Sequence, residues 1–198
     1  MRINDFIKKS RDGGKFTKDE LLEMLGYPAD SDVTYRMMAE AKRISRELTG
    51  DRAEIHAQFS LNLEPCACNC LFCSFAKANG IFKQKARITQ EEAVASAQQL
   101  EEEGANAVFI MTTAQYPFGK FIEISQEVKN NLKPETTLIA NVGDQSLSNA
   151  IKIKDAGFDG VYHALRLREG IDTAIDPERR RESIRHFQEA GLRVGTCV

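Results

Sequence analysis

Pro65-Cys66-Ala67-Cys68-Asn69-Cys70-Leu71-Phe72-Cys73-Ser74-Phe75 holds four of the chain's five cysteines. Cys66, Cys70 and Cys73 are spaced C-x3-C-x2-C, so one tight loop can aim three thiolates at a common point. Three thiolates are one ligand short of closing a four-coordinate site, and an open metal position is where chemistry happens. Two other readings of the same residues stand beside this one. A structural zinc site would use Cys66, Cys68, Cys70 and Cys73, although structural zinc usually draws ligand pairs from two separated segments. A disulfide staple would need an oxidising compartment, and no export signal precedes the loop.

Upstream, Ile55, Ala57, Phe59, Leu61 and Leu63 alternate with His56, Gln58, Ser60 and Asn62. This period of two predicts a strand that delivers the chain into the cysteine loop, with His56 as a polar strand residue. Downstream, Lys77 to Lys85 reads as a basic loop, either solvated surface or a contact for an anionic substrate. Beyond it the chain alternates helix and strand. Thr89 with Glu92 caps a helix that runs to Gly104, strand Ala107–Ala114 follows, and helix Lys120–Leu132 leads to strand Thr136–Val142. A helix over Leu147–Ala156 precedes strand Gly160–Leu167. Asp176 and Pro177 open the last helix, which hands on to Leu192–Val198. Gly104, Gly157 and Gly191 each close a helix just before an apolar strand. Short exits repeated in this way demand parallel crossovers, hence a parallel barrel or a doubly wound sheet. Five strands and four helices are expected after residue 53, with the cysteine loop at the C-terminal end of the first strand, where such barrels keep their sites.

Residues 1–52 read as a helical extension. Thr17 with Glu20 forms a capping box before Leu21, Leu22, Met24 and Leu25, and Gly26-Tyr27-Pro28 stops that helix. A second helix from Asp32 carries Val33, Met37, Ala41, Ile44 and Leu48 on one face and ends at Thr49-Gly50. That spacing predicts a cover packed by core residues, Met37 and Met38 included.

At 198 residues and 42% hydrophobic, the chain can build one substantial core. A formal net charge of −2 gives no global basic field for nucleic acid. With no signal-like N-terminus and no run of eighteen apolar residues, a soluble, cytoplasmic protein with no membrane partner is expected.

The Cys66/Cys70/Cys73 spacing, with aromatic Phe72 before the last cysteine, resembles the signature of the radical S-adenosylmethionine (SAM) enzymes. The order of elements over residues 15–198 resembles their biotin synthase-like branch, which includes biotin synthase and the [FeFe]-hydrogenase maturase and methylornithine synthase relatives. The resemblance implies a [4Fe–4S] cluster on Cys66, Cys70 and Cys73, with a fourth iron that binds the amino and carboxylate groups of SAM. An electron from the cluster then splits the sulfonium into methionine and a 5′-deoxyadenosyl radical. Cys68 is expected to turn away from the cluster.

Further cofactor contacts are implied for Phe72 and for the strand end Met111-Thr112-Thr113-Ala114, which lies along the methionine part of SAM. A ribose-binding carboxylate or amide is expected within Tyr162–Glu169. Ungapped matching puts Arg166 there, and a shifted strand end would put Glu169 there instead. Arg180 falls where the branch grips the SAM carboxylate, a task that suits a guanidinium fork. Its neighbours Arg179 and Arg181 leave a solvated charge run as the other reading.

Biotin synthase also carries a second, sacrificial cluster, and the corresponding places here are Ile110, Ile139 and Gly195. Cys197 lies two residues past the last of them and reads as a small core residue. Sulfur insertion is therefore disfavoured. A rearrangement, a bond cleavage or a methylene transfer remains, in making a cofactor or an unusual amino acid. The implied partners are a small-molecule substrate and an electron donor such as flavodoxin or ferredoxin. Related barrels have six strands, so a parallel β/α, partial TIM-type barrel is expected over 53–198, open and ending in the fifth strand, able to self-associate through its edge. The rival reading is an iron–sulfur or zinc-binding accessory protein without radical chemistry.

Overall fold

The structure, a computed structural model, describes residues 2–196 and divides into two compact units, Met1–Ala53 and Glu54–Val198. Cys197 falls outside the described residues, as does the end of the expected last strand.

The first unit contains helices α1 (Arg2–Arg11), α2 (Lys18–Leu25) and α3 (Asp32–Thr49). Thr17 makes the expected capping box with Glu20, and Gly50 ends α3 in the left-handed conformation at φ 61°. The separate α1 carries no capping signal in the sequence. It is fixed to its neighbours by charge: Arg11 forks onto Glu40 at 2.6 and 2.7 Å, and Lys9 reaches Glu20 at 2.7 Å. Met37 packs near Ile3 and Phe6, whereas Met38 and Leu48 are exposed, so the apolar face of α3 is narrower than its spacing suggests.

The second unit is built on strands β1 (His56–Ser60), β4 (Ala107–Met111), β5 (Thr137–Asn141), β6 (Gly160–Tyr162) and β7 (Arg193–Gly195). They lie side by side in that order, and every neighbouring pair is parallel. Helices α4 (Gln90–Glu102), α5 (Phe118–Asn130), α6 (Leu147–Asp155) and α7 (Pro177–Glu189) make the crossovers. At the helix exits Gly104, Gly157 and Gly191 adopt φ of 102°, 93° and 76°, a region in which a side chain is strained. This is the expected parallel α/β architecture. Val108, Ile110, Leu138, Ala140 and Val161 are fully buried against Phe121, Ile124, Ile153 and Phe187 of the helices. Burial of each large aliphatic side chain contributes about 1.5–3 kcal/mol. On the other face, Phe109 and Ile139 line a recess at the N-terminal ends of the strands, while Met111, Asn141 and Tyr162 face the C-terminal end.

β4 and β5 end at Met111 and Asn141, short of the expected Ala114 and Val142, and two further strands stop before their expected ends. β1 stops at Ser60, whose hydroxyl donates to the Asn62 carbonyl at 2.7 Å. The chain then leaves the sheet as β2 (Asn62–Leu63), which pairs antiparallel with β3 (Ala86–Arg87). Leu61 is fully buried at this turn, and Leu63 is exposed. β6 stops at Tyr162. His163 still donates its N–H to the Gly195 carbonyl at 2.9 Å, but residues 164–167 turn away into a loop that contains Arg168 at φ 61°.

Gly160 brings β6 against β7 so closely that a Cβ there would stand 2.6 Å from the Arg193 carbonyl oxygen. Gly160→Ala should therefore cost about 2 kcal/mol or more. Urea titration of the two proteins checks this, and a midpoint unchanged by the substitution would contradict it.

Candidate active site

The cysteine loop is held by its backbone. Cys66 N–H donates to the Phe75 carbonyl at 2.7 Å, and Lys77 N–H returns to the Cys66 carbonyl at 3.0 Å. Cys73 N–H donates to the Cys70 carbonyl at 2.9 Å, closing a turn that Asn69 enters at φ 44°. From the far side, Ala174 N–H donates to the Cys68 carbonyl at 2.7 Å, and Leu71 N–H donates to the Asp172 carbonyl at 2.9 Å. With the main chain satisfied in this way, the four thiols are free and half-buried.

All four thiols line one cavity of about 220 Å³ at the C-terminal ends of the strands. Met111, Thr112, Thr113 and Ala114 form a second wall, Asn141, Val142 and Gly143 a third, and Arg166 and Arg180 close it. A Cβ on Gly143 would meet the Ala114 Cβ at 3.0 Å, so glycine is what allows the second and third walls to touch. Among the described residues, no group of three His, Cys, Asp or Glu side chains has the geometry to hold a metal ion as the chain stands. Cys68 donates to Cys66 and holds the Cys66 thiol well below the usual thiol range, while Cys68 is pushed up in return. Burial raises Cys70.

The expected site residues divide. Thr112 continues the ladder by donating its N–H to the Asn141 carbonyl at 3.0 Å. Thr113 is locked from β2, because Asn62 Nδ2 donates to its hydroxyl at 2.8 Å and its own N–H reaches Asn62 Oδ1 at 3.0 Å. Asn62 also donates to Glu64 at 3.0 Å, and Glu64 pairs with Arg87 at 2.6 Å, so a polar chain ties the entrance of the cysteine loop to the end of β4. Of the two alternatives in the 162–169 run, Arg166 faces the cavity and Glu169 does not. The Glu169 carboxylate is buried, accepting from Arg166 N–H at 3.2 Å and from the Thr173 hydroxyl at 2.7 Å. Phe72 lies outside the cavity lining, its ring 5.6 Å from the Arg166 guanidinium carbon. Cys68, expected to turn away, faces the same cavity as the other three, because Ala174 holds its backbone there. Ile110 lies in the helix-side core and Ile139 on the opposite face.

Arg180 is buried, unlike a solvated charge run. Its Nε lies 2.7 Å from Asp144 Oδ1, and its Nη1 lies 3.4 Å from His163 Nδ1 and 3.5 Å from the Ala164 carbonyl oxygen. His163 Nε2 lies 3.0 Å from the same Asp144 oxygen. Nothing in the spacing of the sequence singles out Asp144 or His163, since each follows a strand end and only the fold brings them to Arg180. Burial pushes His163 below its usual range, against the opposing pull of Asp144. Burial would raise Asp144, but the His163 hydrogen bond and the Arg180 charge hold it below the usual carboxylate range.

No family model matches the chain. It is 24% identical over 199 residues to a biotin synthase of Citrifermentans bemidjiense, with 97% of this chain and 60% of that protein covered. It is 25% identical over 201 residues to a biotin synthase of Clostridium perfringens, with 96% and 61% covered. Among solved structures, HydG, a maturase of the [FeFe]-hydrogenase, superposes with a TM-score of 0.83 at 20% identity over 98% of this chain and 45% of that one. Methylornithine synthase (PylB) gives 0.79 at 18% identity over 96% and 57%. The chain thus spans about 60% of the length of the curated relatives it matches.

The depressed His163 titration has a defined sign. Its unfolded form takes up a proton near its ordinary value of 6.5 and the folded form only below it, so stability falls as pH drops beneath 6.5. The contribution of Asp144 is lost only below its ordinary value of 3.8. Urea midpoints at pH 7 and pH 5 should therefore differ more for the unsubstituted chain than for His163→Gln. Equal differences would contradict the assignment.

Proposed function

We propose that this chain is a radical SAM enzyme of the biotin synthase-like branch and holds a [4Fe–4S] cluster through Cys66, Cys70 and Cys73. It would bind SAM beside that cluster and act on a small molecule. One observation carries the reading: the cysteine loop, the end of β4 and a buried arginine all line a single cavity on the rim where parallel barrels keep their sites. The donor set fits the group, because free, half-buried thiols on a loop whose backbone is already hydrogen-bonded are the ligands an iron–sulfur cluster takes. When bound, the cluster and SAM supply a one-electron cleavage of the sulfonium and a carbon radical that takes hydrogen from the substrate.

The chain's own residues bind and orient. Arg180 presents a guanidinium suited to a carboxylate, and Asp144 with His163 fixes it there before any ligand arrives, which lowers the ordering cost of binding. The backbone of Thr112, Thr113 and Ala114 offers a polar edge along one wall, kept straight by Asn62. Arg166 stands where a ribose-binding carboxylate was expected, which gives that part of the cavity a cation with Glu169 buried beneath it. Apolar Ile110 and Ile139 and the glycine at 195 supply no thiol for a second cluster, which disfavours sulfur insertion. A rearrangement, bond cleavage or methylene transfer is the reaction class that remains.

Cys68 facing the cavity favours one rival, a four-thiolate zinc site in an accessory protein. Anaerobic reconstitution separates the two. The enzyme reading expects about four irons per chain and an electron paramagnetic resonance signal that SAM perturbs. Alanine at Cys66, Cys70 or Cys73 should abolish cluster binding and 5′-deoxyadenosine formation, whereas Cys68→Ala should keep most of both. Zinc bound in place of iron and lost on Cys68→Ala would sink the proposal.

A further inference from the structure

The cavity that gathers the four thiols has two arginines and no carboxylate among its lining residues. Their situations differ. Arg180 is buried and committed, with Asp144 2.7 Å from its Nε and with His163 and the Ala164 carbonyl beside its Nη1. Arg166 is half-buried, and among the described residues its guanidinium makes no hydrogen bond. Its ionic neighbour is Glu169, whose Oε2 lies 3.7 Å from Nη1, beyond hydrogen-bond reach. Glu169 is already engaged, since its oxygens accept from the Arg166 backbone N–H at 3.2 Å and from the Thr173 hydroxyl at 2.7 Å. The Phe72 ring lies 5.6 Å from the guanidinium carbon. A buried carboxylate and an aromatic ring thus hold the Arg166 guanidinium at the cavity, while its five N–H donors stay unspent.

SAM cannot answer both arginines. It brings one carboxylate, assigned above to Arg180, and a sulfonium cation that a second guanidinium in the same cavity repels. An anion delivered by another molecule removes that repulsion and uses the free donors. We propose that Arg166 determines substrate specificity by gripping a carboxylate that the substrate carries, a reading that rests on the function proposed above. A planar fork of N–H groups meets a carboxylate with two parallel bonds. A phosphate suits the place less well, because Glu169 already sets one negative charge 3.7 Å from Nη1 and a dianion would face it. The position also departs from the branch, where a carboxylate or amide is expected to serve the ribose. An acceptor has given way to a donor fork, so the group bound there changes from hydroxyls to an anion.

The test uses the reconstituted protein saturated with SAM and takes acetate as the probe. Bound acetate is read from the width of its methyl proton resonance at constant ionic strength. The unsubstituted protein should bind acetate saturably, and Arg166→Gln should bind it at least about tenfold more weakly, as loss of a charged hydrogen-bonding partner requires. Calorimetric titration with SAM should show that Arg166→Gln binds SAM no more weakly than the unsubstituted protein, because a cation has been removed from beside the sulfonium. Equal acetate binding by the two proteins overturns the proposal, as does the absence of acetate binding to either. A matching loss of SAM affinity also overturns it, since Arg166 would then serve SAM. Tighter binding of inorganic phosphate than of acetate overturns the carboxylate assignment. Should Arg166→Gln fail to fold, Arg166→Lys keeps the charge beside Glu169 and should weaken acetate severalfold through loss of the fork, and undiminished binding sinks the proposal. If the unsubstituted protein binds no SAM, the function proposed above fails, and the same acetate comparison without SAM still decides the role of Arg166.

Discussion

Parallel pairing is the constraint on which the rest of this molecule depends. A strand paired parallel to its predecessor must return across the sheet before it starts, so each of β4, β5, β6 and β7 is preceded by a helix, and all five strands release their chain on one rim. The cavity is a product of that geometry. Residues far apart in sequence, such as Cys66, Ala114, Gly143 and Arg180, line it together because each follows a strand or begins the helix beyond one. The full five-residue registers of β1 with β4 and of β4 with β5 fix the height of the first three strand ends, and therefore the depth of the cavity floor.

Charge is buried on this rim at a cost that geometry must offset. A guanidinium withdrawn from water stays favourable only if its partners are close and well placed, and removal of one partner from such a group typically costs about 3–5 kcal/mol. Asp144 meets this demand by facing both Arg180 and His163 with one oxygen. The arrangement joins the loop after β5, the end of β6 and helix α7, so the side chains that stabilise the rim are the same ones that shape the cavity. The Asn62–Glu64–Arg87 chain does the corresponding work on the other flank, joining the entry of the cysteine loop to β4 through Thr113.

Much of this was legible in the sequence, for local reasons. The capping boxes at Thr17 and Thr89 and the glycines after three helices report conformations that their own neighbours dictate, and the cysteine spacing is itself a statement about one loop. What escaped was set by distant contacts. Apolar alternation carried β1 past Ser60 and β6 past Tyr162, because the pattern does not record where a hydrogen-bonding partner runs out or where Asn62 is captured by Thr113. Asp144 and His163 look like ordinary loop residues until Arg180 arrives from α7. Phe72 and the alternative Glu169 rested on the family resemblance, which does not record that the Glu169 carboxylate is buried against Thr173 and that the Phe72 ring lies beside Arg166 outside the cavity lining.

The two hydrogen bonds by which residues 172 and 174 clamp the cysteine loop also set a timetable. As the polypeptide leaves the ribosome, the loop emerges roughly a hundred residues before the segment that clamps it, and contacts between such distant positions form late because closing a long span of chain is entropically expensive. Sheet growth can meanwhile proceed strand by strand, each new unit packing on the one before. The thiols are therefore presented on an unfinished platform during synthesis and acquire their fixed directions only when the segment between β6 and α7 has docked, so assembly of whatever they hold belongs after translation of that region rather than during it.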